Sequence, residues 1–100
     1  MTPVWTHCAW TVRPGREEEF VELWKGTVRE TAKALAPPQR PSLLRDHDRQ
    51  NLFISFGPWN DVEQVEAFRS SDAFRRAQAP LRDVLEGFEP RTLDEVVAGG

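Results

Sequence analysis

One strand with bulky side chains on both faces is the strongest constraint in this chain. Val4 to Arg13, "VWTHCAWTVR", is rich in Val, Trp and Thr, and Pro14-Gly15 stops it. Strand side chains alternate, so Val4, Thr6, Cys8, Trp10 and Val12 share one face and Trp5, His7, Ala9 and Thr11 the other. A half-exposed antiparallel strand is normally polar on one side. This one is not, so both of its faces need cover.

The rest of the chain supplies that cover. Arg16 to about Leu35 has a helical stripe of Phe20, Leu23, Trp24, Thr27, Val28, Thr31 and Leu35, with Glu17, Glu18 and Glu19 at the positive end of the helix dipole. Gly26 in its middle suggests close packing, and "APPQRP" (36–41) ends it in a loop. Ser42 to Asp48 and Asn51 to Gly57 read as two strands of a hairpin around "DRQ". Gly57-Pro58 is expected to end sheet pairing, and Asn60 with Glu63 has the chemistry of a helix capping box. Val62, Val65 and Phe68 form the inner side of that helix. A second helix starts at Ser71-Asp72, Pro80 opens a further turn, Phe88 to Val97 is a last strand, and residues 98–100 fray.

The order β-α-β-β-α-β predicts an α+β, ferredoxin-like fold in a single domain over residues 1–100, with helices on one face of an antiparallel sheet. A chain of 100 residues buries only roughly 60–65% of its unfolded surface. Pairing two sheets through the face carrying Trp5, His7 and Ala9 would cover it, so a homodimer is expected. The net charge of −3 gives no footprint for nucleic acid or anionic membrane. RNA-recognition domains share the element order, yet "NLFISFG" lacks their basic start and alternating aromatics. The lone Cys8 allows no intrachain disulfide, and the start "MTPVWTHCAWTV" has no basic leader or long apolar run, so a cytoplasmic protein without a membrane span is expected.

"SFGPWND" puts a tryptophan at a junction of strand, turn and helix. Together with "VRPGREEEFVELW", "LLRDHDRQNLFISFGPWND" and "VEAFRSSDAFRRAQAPLRDVL", it makes the chain resemble the antibiotic biosynthesis monooxygenase family over nearly its whole length. The resemblance implies a dimeric α/β barrel with a pocket between each sheet and its helices. It also implies oxidation of polyphenolic or quinol-like aromatics by O2 without metal or flavin. Trp59 matches the tryptophan that lines the pocket in these relatives, although plugging the barrel end is an equal reading. Haem-degrading relatives pair that tryptophan with an asparagine where this chain has Cys8 and an iron-ligating histidine where it has Gln78. The resemblance therefore disfavours haem. Members that form quinones carry an asparagine where this chain has Ser55.

A cofactor-free oxygenase needs a dry aromatic pocket, a base for a phenolic proton and donors that hold the anion. On this reading Trp59 and Ser55 are the catalytic candidates, and Cys8, Trp10, Phe74 and Gln78 bind the substrate. Histidine is the side chain that exchanges protons near neutrality, which makes His7 and His47 candidate bases. Strand alternation turns His7 away from Cys8, excluding a thiolate-imidazole pair, and His47 away from Asp46 and Asp48, weakening a metal site. No metal or cofactor is expected, and no glycine-rich phosphate loop follows a strand. The alternative from another class is a non-catalytic dimer that binds a small ligand or serves in stress.

Overall fold

The computed structural model describes residues 3–35 and 40–99. Its elements are β1 (Val4–Val12), α1 (Glu17–Leu35), β2 (Ser42–Arg45), β3 (Leu52–Trp59), α2 (Val62–Arg69), α3 (Asp72–Val84) and β4 (Leu85–Asp94). The strands form one antiparallel sheet in the order β2-β3-β1-β4. This is the expected ferredoxin-like fold, with the second helical region divided into α2 and α3. β1 lies between two partners, so its backbone donors and acceptors are paired along both edges.

Packing on one face builds the core. Trp10, Val12 and Phe53 from the sheet meet Phe20 of α1 and Leu81 and Val84 of α3. A second, smaller cluster joins Val4, Trp59 and Val65, with Phe68 against it. Neither cluster includes Trp5, His7, Ala9, Ile54 or Phe56, which share the opposite face. That face carries the Trp5–Phe56 ring pair, with centroids 6.3 Å apart, and exposes Leu44 and Leu93.

Several boundaries differ from the sequence expectation, each for a physical reason. β3 runs through Gly57-Pro58, which pair with Thr6 and Trp5, and ends at Trp59 opposite Val4. The β2 pairing stops at Phe56, so Pro58 has a free edge where a missing N–H breaks no ladder bond. Because the strand extends, the helix cap moves by one. Asp61 accepts the Gln64 N–H at 2.8 Å, and Gln64 Oε1 accepts the Asn60 N–H at 2.9 Å. α3 continues through Pro80, carried by its buried face of Gln78, Leu81 and Val84, and β4 therefore starts at Leu85. Val96 and Val97 lie beyond it and are exposed.

The hairpin turn is wider than "DRQ". Asp46 Oδ1 accepts the N–H groups of Arg49 (2.8 Å) and Asp48 (2.9 Å), and these bonds hold its carboxyl below the ordinary value. At the other hairpin-like junction, Gly15 takes a left-handed φ of 89° between β1 and α1. Gly26 faces no close neighbour, since a Cβ there would meet only an Arg29 guanidinium nitrogen at 3.9 Å. The expected loop at 36–39, the side chain of Leu35 and the terminal Gly100 lie outside the described residues.

No helix among the described residues is long and apolar enough to cross a membrane.

Candidate active site

Two rungs of small residues in the middle of the sheet make the site. On the core face, β1 and β3 pair Trp10 with Phe53, Cys8 with Ser55, Thr6 with Gly57, and Val4 with Trp59. Bulky pairs thus flank two small ones, and the helices resting on the bulky pairs cannot follow the sheet down between them. The hollow that remains measures about 240 Å³. This is slightly below the roughly 300–1,000 Å³ common for small-molecule sites.

Aromatic rings wall the hollow. Trp59 stacks on Phe68 with centroids 5.0 Å apart, and Phe68 meets Phe74 edge-on at 4.8 Å. At the opposite end Trp10 lies 4.6 Å from Phe88 and 5.5 Å from Phe20. Trp24, Thr27, Val28 and Thr31 of α1 form the roof. Gly57 has a specific reason to be glycine: a Cβ there would lie 3.0 Å from Pro41 Cβ and 3.1 Å from its Cα. Pro41 closes over this rung, and both residues line the hollow.

The polar groups are few and mostly engaged. The Trp10 indole N–H donates to Ser55 Oγ at 2.8 Å in a buried bond. The Ser55 hydroxyl in turn hydrogen-bonds the Cys8 sulfur. Trp59 donates its N–H to Thr6 Oγ1 at 2.9 Å, so that donor is occupied within the chain. Gln78 is different. It is 9% exposed, lines the hollow, and its side-chain amide has no hydrogen-bond partner among the described residues.

Two arginines line the same space, Arg40 from the segment before β2 and Arg69 from α2. Arg69 is held by Thr92 Oγ1 (2.7 Å) and the Arg91 carbonyl (3.2 Å) of β4. Burial pushes the Cys8 thiol up, outweighing the Arg69 charge and the Ser55 hydrogen bond, which act the other way. Cys8 is therefore a neutral thiol at neutral pH, neither base nor nucleophile.

The structure brings all six sequence candidates, Trp59, Ser55, Cys8, Trp10, Phe74 and Gln78, around this one hollow. Neither histidine joins them. His7 lies on the opposite sheet face, its Nδ1 buried without a partner among the described residues, and His47 is exposed in the hairpin turn. No group of three or more His, Cys, Asp or Glu that could hold a metal occurs among the described residues.

Thr6, Gly57, Phe68 and Arg69 also line the hollow and were missed in the sequence. The alternating "TxC" of β1 and "SxG" of β3, each between aromatics, carried the signal for the small rungs. Arg69 carried none, since it reads like any arginine on a helix surface.

The model of the antibiotic biosynthesis monooxygenase family matches residues 3–80. Among solved structures, SnoaB, a cofactor-independent oxygenase from Streptomyces nogalater, is similar with a TM-score of 0.84 at 21% identity, covering 98% of this chain and 97% of that one. Protein PA3566 of Pseudomonas aeruginosa gives 0.80 at 21% identity, covering 97% of each chain. Rv0793 of Mycobacterium tuberculosis gives 0.82 at 15% identity, covering 99% of this chain and 100% of that one. Comparison with curated proteins gave no match.

Proposed function

We propose, since the chain belongs to the antibiotic biosynthesis monooxygenase family, that it oxidises a polyphenolic or quinol-type aromatic with O2 and works as a homodimer. The observation that carries this reading is the aromatic-walled hollow over the Cys8–Ser55 and Thr6–Gly57 rungs. Its aromatic walls suit a flat ring system, and the Gln78 amide, without a partner among the described residues, can donate to a phenolic oxygen.

The chemistry balances within substrate and O2. A ring C–H para to a phenol becomes a quinone C=O, with one oxygen atom entering the ring and the other leaving as water. All four electrons come from the aromatic, so no outside reductant is needed. The first step is transfer of one electron from the phenolate to triplet O2, because the neutral phenol is a poor donor. With Cys8 protonated and no histidine among the described lining residues, the substrate's own ionisation supplies the phenolate. The Arg69 charge favours that anion.

Each side chain then has a defined task. Trp59, Trp10 and Phe74 exclude water and hold the ring in place. Ser55 accepts from Trp10, which polarises its own O–H as a donor toward the sulfur or the substrate. Gln78 orients the phenolic oxygen, and Cys8 is a small apolar spacer that keeps the hollow open. The family resemblance disfavours a haem-degrading role, since by register it sets Gln78 and Cys8, both lining the hollow, at the ligand and helper positions.

The homodimer rests on the second face of the sheet. Trp5, Phe56, Leu44 and Leu93 offer it apolar area, and the buried His7 Nδ1, without a partner among the described residues, can take a hydrogen bond across it. Sedimentation at micromolar concentration is expected to give twice the chain mass; a stable monomer would contradict this.

The absence of a titratable base among the described lining residues favours one competing reading, a dimer that binds an aromatic without turning it over. Oxygen uptake with a panel of dihydroxylated aromatics, free of metal, flavin and nicotinamide, separates the two. With panel members that keep a ring C–H para to a hydroxyl, labelled O2 should leave one atom in the quinone product and one in water. A folded protein that binds the panel yet consumes no oxygen would establish the binding reading instead.

A further inference from the structure

A second hollow adjoins the first. It measures about 460 Å³, lies where α3 passes into β4, and shares Arg69, Phe74, Gln78 and Phe88 with the aromatic chamber. These four side chains are the boundary between the two spaces. Beyond them the lining becomes charged, adding Arg75, Arg82 and Glu86. Arg75 is paired with Asp72, and Arg69 is bonded to neutral oxygens of β4, with no ion-pair partner among the described residues. Arg82 has no ion-pair or hydrogen-bond partner among the described side chains. Asp72 and Glu86 offset two of the three guanidiniums, leaving an excess of one positive charge. That excess sits in a chain whose net charge is −3, so it is local and directed.

We infer that the substrate carries a carboxylate arm. The flat rings occupy the aromatic chamber, and the arm passes Gln78 and Phe88 to meet Arg69 and Arg82. One surplus positive charge matches a monoanion better than a doubly charged phosphate. A guanidinium also presents parallel N–H donors in the geometry of a carboxylate. Arg69 then has two uses: its charge favours the phenolate on one side and the arm on the other. The inference rests on the reading of the inner chamber as an aromatic site and adds the second half of the ligand.

The test is binding alone, by calorimetry, with 3-(2-naphthyl)propanoate and its neutral, equally sized amide. Neither probe is a phenol, so oxygen chemistry does not enter. The acid is expected to bind the wild-type protein about tenfold more tightly than the amide, as a charge-assisted bond allows. The preference should shrink as salt is raised. In Arg82→Gln it should fall to within about twofold. Arg82 makes no bond within the described chain, so this variant should keep its melting temperature. Arg69→Gln should lose the preference too, but its ties to β4 make Arg82→Gln the cleaner arm. Equal binding of acid and amide by wild type would overturn the carboxylate inference while leaving the aromatic chamber standing. A preference that survives both substitutions would overturn it as well. No binding of either probe would sink both. A clear acid preference without oxygen uptake on phenolic substrates would keep this inference and remove the oxygenase reading.

Discussion

The Trp59 indole N–H donates to Thr6 Oγ1 at 2.9 Å across the β1–β3 pair. This fixes what Trp59 can do. Its donor is occupied within the sheet, so on the proposed reading its ring, braced by Phe68, is what a ligand would meet. Trp59→Phe should keep most of the wall and lose one part-buried hydrogen bond, costing about 1 kcal/mol of stability. Turnover in that variant should stay within about threefold of wild type. Trp59→Ala should cost about 3–5 kcal/mol and admit water, lowering turnover by far more than tenfold. Thermal melts alongside oxygen uptake read both. Strong impairment in a well-folded Trp59→Phe would show that the N–H serves the substrate after all.

Ser55 is bonded to Trp10 in a buried pair, so its removal has a structural cost separate from any chemistry. Ser55→Ala leaves the Trp10 N–H unsatisfied and should destabilise by about 1–3 kcal/mol. Ser55→Thr keeps the oxygen and should recover most of that loss. Denaturant melts of both variants check the ordering.

Gly57→Ala tests the closure over the small rungs. Its Cβ would press on Pro41 at 3.0 Å, so either the strand or the Pro41 segment must shift. The expected cost is about 1–3 kcal/mol. Gly26→Ala, where the nearest atom is 3.9 Å away, should instead be neutral or stabilising. Comparing the two melting temperatures checks that the difference comes from local space and not from glycine as such.

Cys8 should titrate late. Burial raises its thiol above the ordinary 9.0, so alkylation of the folded protein at pH 8 should be much slower than of the unfolded chain. The linkage has a definite sign. The folded state holds the proton more tightly, so the stability this contributes is complete below about pH 9. It is lost as pH rises through the folded value. Cys8→Ala should lack that alkaline loss, which urea melts at pH 8 and pH 10.5 would show.

Much of this was legible in the chain. The two-sided first strand, the α1 stripe and the element order follow from alternation and periodicity, and the structure has the fold they predict. The boundaries near proline were not. Gly57-Pro58 and Pro80 read as breaks, yet each lies where the surroundings tolerate proline: an unpaired strand edge, and a helix whose buried face carries it through. Trp59, Cys8, Ser55 and Gln78 came from resemblance, Trp10 and Phe74 from the need for an aromatic wall, and the reason a hollow lies between them came from register. Thr6 and Gly57, and Cys8 and Ser55, lie far apart in sequence but face each other across β1 and β3. Only their pairing shows that the small positions coincide. Arg69 and Arg82 needed the packing of α2 and α3 against β4, which no local pattern encodes.

On the proposed function, the hollow over the small rungs is where the aromatic is oxidised. Oxygen uptake by wild type and by Cys8→Leu, with a dihydroxylated aromatic and no added cofactor, tests it most directly. Leucine adds apolar volume where Cys8 leaves space, so the variant should stay folded with a melting temperature close to wild type. Wild type should consume one O2 per quinone formed, and folded Cys8→Leu should consume oxygen at least tenfold more slowly. Equal turnover by the two folded proteins would contradict it, because the reaction would then be taking place somewhere else.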